Sequence, residues 1–190
     1  LVPTLVDPYV VATSISIGSG INANSFNGAY ATSPALQVNP DTDPNSEAEA
    51  LASDNFFEFT VEPAATKILN FEELVFGAAR GGGSTPRSWF LYSSIDGFTL
   101  GNAIETLDVP TTRPNLTTTV VDLTDAKFQS ITGPVTFRVY VATPSTGNSL
   151  EFDNFSLTAS VEAQIPEPAT ASLIALAAAA ALRRRRRLAA

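Results

Sequence analysis

The chain has 190 residues, 44% of them hydrophobic, which suits one domain with a proper core plus a tail and excludes a disordered chain. It has no Cys and no His, which excludes disulfides, thiolate nucleophiles, Cys-ligated zinc and any Ser-His-Asp hydrolase. The net charge of −8 is uneven: five of the eleven basic residues are consecutive near the C-terminus, and the body keeps six against eighteen acidic ones, about −12, a charge that repels nucleic acid.

In chain order, Tyr9, Val11, Ile15 and Ile17 share one parity, which predicts a half-buried strand ended by Gly18-Ser19-Gly20. Residues 21–30 read as a weaker strand interrupted at Asn27-Gly28. Residues 31–54 carry Pro34, Pro40 and Pro44 and read as a long surface loop, with a short helix that Ser46 can cap. Asp41, Asp43 and Asn45 alternate as in a calcium loop, but the Gly and closing Glu of such a loop are missing, so the solvated loop is the preferred reading. Residues 56–61 predict a strand with Phe57, Phe59 and Val61 inward and Phe56 free to face another layer. Residues 67–79 predict one long strand, bulged near Glu72-Glu73.

The glycine-rich stretch 80–86 reads as a hairpin loop. It lacks the Lys-Ser/Thr and the following helix of a phosphate cradle. Residues 87–93 are a strand holding the single Trp, Trp89. Asp96-Gly97 marks a turn, residues 102–115 are irregular, residues 116–123 are extended, and residues 125–130 form one helical turn. Residues 135–143 alternate cleanly, with Val135, Phe137, Val139 and Val141 against Thr136, Arg138 and Tyr140. Residues 150–161 form the last strand, expected to pair with the preceding one. About eight strands with short turn signals and almost no helical periodicity predict an all-β fold, an antiparallel β-sandwich of jelly-roll topology.

The sandwich is expected to span residues 1–161, followed by a linker at 162–168 and a short C-terminal hydrophobic helix with an Arg-rich end at 169–190. The apolar run 169–182 has 14 residues, eight of them Ala. As a helix it is about 21 Å long, short of a hydrocarbon core of about 30 Å, so it holds a membrane weakly. Arg183, Arg184, Arg185, Arg186 and Arg187 form a stop that stays on the inner side by the positive-inside rule. A solvent-exposed Ala-rich helix would need a polar face, and only Thr170 and Ser172 are polar in the run. A nucleic-acid patch conflicts with the acidic body.

Pro166-Glu167-Pro168, then the apolar run, then the Arg cluster resembles the PEP-CTERM sorting signal of exopolysaccharide-producing Gram-negative bacteria. The resemblance covers about 26 residues. It implies recognition and cleavage by an exosortase-type membrane protease, transient inner-membrane anchoring by the C-terminal helix, and delivery to the cell surface or extracellular matrix. With no Met and with Leu1 first, a secretory signal peptide is expected upstream. The body is similar to the sandwich domains that precede this signal. The matching pieces are the 56–61 strand, the glycine loop before Trp89, the Ser93-Ser94-Ile95-Asp96-Gly97-Phe98 turn and the closing Phe152-Asp153-Asn154-Phe155 strand. No established activity comes with that likeness.

Three functions are weighed. The first is a non-enzymatic surface or matrix protein binding extracellular polysaccharide, with Trp89, Phe90 and Tyr92 as a stacking platform; a core position for Trp89 is the competing reading. No cofactor is expected, a structural calcium at Asp153 with Asp54 or Glu58 being the one candidate, against solvated or turn-bonding carboxylates. The second is a carbohydrate-active enzyme with a carboxylate pair. Glu72 and Glu73 are adjacent and face opposite sides of a strand; Glu58 and Glu105 need the fold to bring them together. The third is a purely structural adhesin.

Overall fold

The computed structural model describes residues 4, 7–22 and 36–164. Among the described residues there are ten strands: β1 Val10–Ala12, β2 Ser16–Ile17, β3 Leu36–Val38, β4 Phe56–Pro63, β5 Lys67–Arg80, β6 Ser88–Ser93, β7 Glu105–Asp108, β8 Thr117–Asp122, β9 Val135–Ala142 and β10 Leu150–Ala163. One short helix, α1 Glu47–Ala52, and a single 3-10 turn at Ala126–Phe128 complete them.

The pairings define the fold. β3 pairs with β10, β4 with β9, β5 with β8 and β6 with β7, all antiparallel. This is one long hairpin wrapped so that successive pairs fall in alternate sheets. Pairing of β5 with β10 and of β6 with β9 closes the two sheets, ordered β4-β9-β6-β7 and β3-β10-β5-β8. That is a jelly roll, with β1 and β2 added to the free edge of β4.

Alternation supplies the core. Val135, Phe137, Val139 and Val141 of β9 are buried, as are Leu91 and Trp89 of β6 and Leu69, Phe71, Leu74 and Phe76 of β5. Aromatic rings interlock between the sheets, with Phe76 and Trp89 centroids 4.9 Å apart and Phe57 and Phe152 5.0 Å apart. Each such pair adds about 0.5–1.5 kcal/mol beyond its buried area.

Two bulges set which side chains reach this core. Thr158 stands opposite Glu73 and Ala159 opposite Phe71, so Glu72 is the extra residue of the bulge expected in β5. In β10 the register shifts between Asp153 and Ser156, and Asn154 takes a left-handed φ of 57°. That bulge turns both Phe152 and Phe155 inward, where strict alternation would separate them.

Several expectations need correction. The first strand is two strands. Between Ala12, opposite Val61, and Ser16, opposite Glu58, β1–β2 has one more residue than β4. The parity therefore flips: Val10 and Ala12 pack against the core and Tyr9 and Val11 are exposed, whereas Ile15 and Ile17 turn in. The expected loop over 31–54 contains β3, whose Leu36 and Val38 are buried. The irregular stretch 102–115 contains β7. The stretch 80–86 is no hairpin, because β5 and β6 lie in different sheets. Buried Arg87 pins that crossover by donating to the carbonyls of Gly82 and Ser149 and to Asn148 Oδ1. Likewise β10 pairs with β3 and β5 and not with β9, the Pro144–Asn148 connection crossing between sheets. Residues 23–35 of the weaker strand and loop, and the whole tail from 165, lie outside the described residues.

Candidate functional site

The outer face of the sheet β4-β9-β6-β7 carries the most elaborate side-chain chemistry. Alternation dictates it: with Phe57, Val139 and Leu91 inward, their neighbours Phe56, Glu58, Arg138, Tyr140, Phe90 and Tyr92 point out. Register then aligns them in rungs. Ser16, Glu58, Arg138 and Tyr92 stand opposite one another across four strands, and Phe56, Tyr140 and Phe90 form the next rung.

Arg138 is the centre of the face. Its guanidinium lies 4.1 Å from the Phe56 centroid and 4.0 Å from the Phe98 centroid, so two rings pack against it. Nε donates to Glu58 Oε2 at 2.7 Å and Nη1 donates to Tyr140 Oη at 3.3 Å. Ser16 Oγ donates to Glu58 Oε1 at 3.5 Å. Burial works against the charge on Arg138, but the hydrogen bonds to the Glu58 carboxylate and Tyr140 hydroxyl raise its pKa above the ordinary value. About a quarter of the side chain remains exposed, 25% for Arg138 and 27% for Glu58. The pair therefore presents a fixed donor fork and a fixed acceptor side by side at the surface.

Neighbouring elements hold this arrangement. Ser46 caps α1 by accepting from Glu49 N–H at 3.3 Å, and Glu49 reaches back to accept from the N–H of Asn45, the residue before the cap, at 2.6 Å. Ala50 of α1 packs with Phe56, Tyr92, Tyr140 and Ala142 in a small second core. The Tyr92 hydroxyl donates to the Glu47 carboxylate. Burial, then that hydrogen bond and its negative charge, push the Tyr92 pKa well above the ordinary tyrosine range. The loop carrying Phe98 is fixed through Asp96, which accepts from Lys127 Nζ at 2.8 Å and from Ser93 Oγ at 3.3 Å. Ile95 and Leu100 on the same loop are exposed. A notch of about 240 Å³, lined by Pro44, Asn45, Thr85, Pro86, Ser88, Ala142 and Pro144, continues the face toward the glycine loop.

The sequence-named residues fall differently. Trp89 is fully buried between the sheets, because its parity on β6 is that of Leu91, so it offers no ring to a ligand. Tyr92 does face outward, but α1 and Tyr140 cover it completely. Arg138 and Phe98 escaped notice as site residues; the Phe-flanked polar parity of β9 was the signal available.

Asp153 begins the β10 bulge and its Oδ1 accepts from Asn154 N–H at 2.8 Å. It is on the second sheet, Glu58 is on the first, and Asp54 lies in the turn between α1 and β4. Among the described residues no group of three or more His, Cys, Asp or Glu could hold a metal ion.

Glu58 and Glu105 are also apart. Three strand spacings of about 4.8 Å place them about 14 Å apart along the sheet, beyond the about 5–10 Å of a glycosidase pair. Glu73 and Asp122 are directly opposed on the second sheet's outer face, but Asp122 is bound by the hydroxyl and N–H of Thr124, which lower its pKa and keep it ionised. Pro166, Glu167, Pro168 and the five arginines lie outside the described residues.

A PEP-CTERM protein-sorting motif matches residues 164–187. That motif marks an exported protein, delivered to the cell surface or extracellular space and processed by exosortase. No curated protein matches the chain. Solved structures with a similar course of chain include TmCBM61 in complex with beta-1,4-galactotriose, at 18% identity, covering 77% of this chain and 88% of that one, TM-score 0.40. A Bacteroides thetaiotaomicron protein described as sugar binding matches at 13% identity, 77% and 88% coverage and TM-score 0.44. A cleaved adhesin domain of Lys-gingipain from Porphyromonas gingivalis matches at 15% identity, 80% and 98% coverage and TM-score 0.41. Nothing about ligand or activity passes through these likenesses to this chain. Among the described residues no helix is long and apolar enough to cross a membrane.

Proposed function

We propose that this chain is a non-enzymatic cell-surface or matrix protein whose sandwich binds a polysaccharide on the outer face of the β4-β9-β6-β7 sheet. Export rests on the sorting motif at 164–187. In this reading the apolar run holds the inner membrane only until the processing enzyme removes the tail. A run of 14 residues, eight of them Ala, suits a transient hold better than a lasting span.

The observation that carries ligand binding is the Glu58–Arg138 pair, with the Arg138 guanidinium packed against Phe56 and Phe98. Adjacent sugar hydroxyls need one acceptor and one donor in fixed geometry, with an apolar surface beside them for the C–H face of the ring. Glu58, Arg138 and Phe98, with exposed Ile95 and Leu100, provide that set. Glu58 and Glu105, three strands apart in the first sheet, lie beyond the about 5–10 Å of a glycosidase pair. A glycan array with the soluble body, residues 1–164, tests the reading. Binding that falls at least about tenfold in Arg138→Gln, equivalent to about 1.4 kcal/mol, supports it. Equal binding by parent and variant moves the site elsewhere, and release of reducing ends from any bound glycan returns the enzyme reading.

A further inference from the structure

The sorting motif begins where the sandwich ends. β10 stays against β5 to its last residue, Val161, Glu162 and Ala163 standing opposite Leu69, Ile68 and Lys67. Gln164, the first residue matched by the motif, still donates its N–H to the Thr66 carbonyl at 2.8 Å. The turn that accepts it is itself held. Ala64 N–H donates to the Tyr9 carbonyl, Lys67 N–H donates to the Ala64 carbonyl, and the Lys67 ammonium lies 4.0 Å over the Tyr9 ring. Asn70 Nδ2 donates to Glu162 Oε1 at 3.1 Å. Pro166 is the second residue beyond that last backbone bond.

An enzyme that acts beside Pro166-Glu167-Pro168 by strand addition holds the preceding backbone extended through hydrogen bonds of its own. Lys67 and Leu69 turn their N–H groups away from β10, toward Ala64 and Ile131. The residues of β10 bonded to β5 at this end are therefore Glu162 and Gln164. The same backbone groups cannot serve the sheet and the enzyme together. Resting on the reading that the motif is processed, we infer that residues 161–164 form a gate: they must leave β5 before the tail is removed, and fraying of this strand end sets the rate. The end is built to fray. Glu162, Ala163 and Gln164 are exposed, while Val161 packs against the core and limits how far the opening spreads.

The chain has no Cys, so Lys67→Cys with Ala163→Cys introduces a single disulfide across this end. These residues are non-hydrogen-bonded partners, about 4.5 Å apart at Cα, within disulfide reach. The full-length chain is presented in membranes carrying the processing enzyme, and tail loss is followed by mass spectrometry. The closed disulfide is expected to slow tail loss by about tenfold or more, and reductant to restore it. A Gly-Ser spacer of about six residues between Gln164 and Ile165 is expected to restore it with the disulfide still closed. Loss at the parent rate with the disulfide closed overturns the gate and leaves processing intact. A spacer that does not rescue also overturns it, since the disulfide then acts elsewhere. No tail loss from the parent chain overturns the processing reading and the gate with it.

Discussion

Arg138 illustrates how much one residue can organise. Its packing against two rings and its bond to Glu58 give it contacts that a lysine cannot reproduce, because an ammonium has no plane to stack and no fork. Arg138→Lys should therefore fail to restore ligand binding while keeping the charge, and should cost about 1–2 kcal/mol in a thermal melt, the pair being partly exposed and screened. A melt and a binding titration read the two effects separately. Tyr92 makes a prediction about pH. Its folded pKa is raised well above the ordinary tyrosine value of about 10, so the neutral hydroxyl stabilises the fold below that value. As pH rises past about 10 the unfolded chain ionises first and stability falls. Tyr140 is also raised, chiefly by burial, and contributes in the same direction. Tyr92→Phe should therefore be less stable at neutral pH but lose less on going to pH 11; an unchanged alkaline slope in denaturant titrations would remove Tyr92 from the account.

At the scale of elements, what could be read from the sequence was what alternation encodes. β9, β6, β4 and the bulge at Glu72 follow from a period of two that a single strand carries within itself. What escaped was non-local. Three buried or half-buried residues, Leu36, Gln37 and Val38, make a strand only because β10 offers an edge, and the four residues of β7 do so only beside β6. The partner of β10 is decided by a crossover that no local pattern reveals. Trp89 and Arg138 show the same limit at the site, since parity was legible but which side faced the other sheet was not. Two predictions belong here. Asn154→Val, placing a β-branched residue at φ 57°, should destabilise by about 1–3 kcal/mol and loosen the Phe155 packing. Asn154→Gly should be tolerated. Ser46→Ala should cost about 1 kcal/mol by removing the α1 cap, and should weaken glycan binding indirectly by loosening Glu47 from Tyr92. Urea melts and near-ultraviolet circular dichroism of these variants measure both.

The whole molecule joins a strongly acidic sandwich to a sequence that ends in a basic run. The body's charge of about −12 repels nucleic acid and anionic surfaces. The jelly roll supplies a rigid sheet whose outer face can carry a polar ladder without disturbing the core, while its last strand runs directly into the sorting motif. The proposed ligand face lies on the first sheet and the sorting motif follows β10 of the second, so Arg138→Gln should lower glycan binding and leave tail loss unchanged. The most direct measurement is the intact mass of the protein recovered from the surface or extracellular fraction of the exporting cell. The account predicts a mature chain that has lost Arg183, Arg184, Arg185, Arg186 and Arg187. A mature chain that still carries them would contradict it.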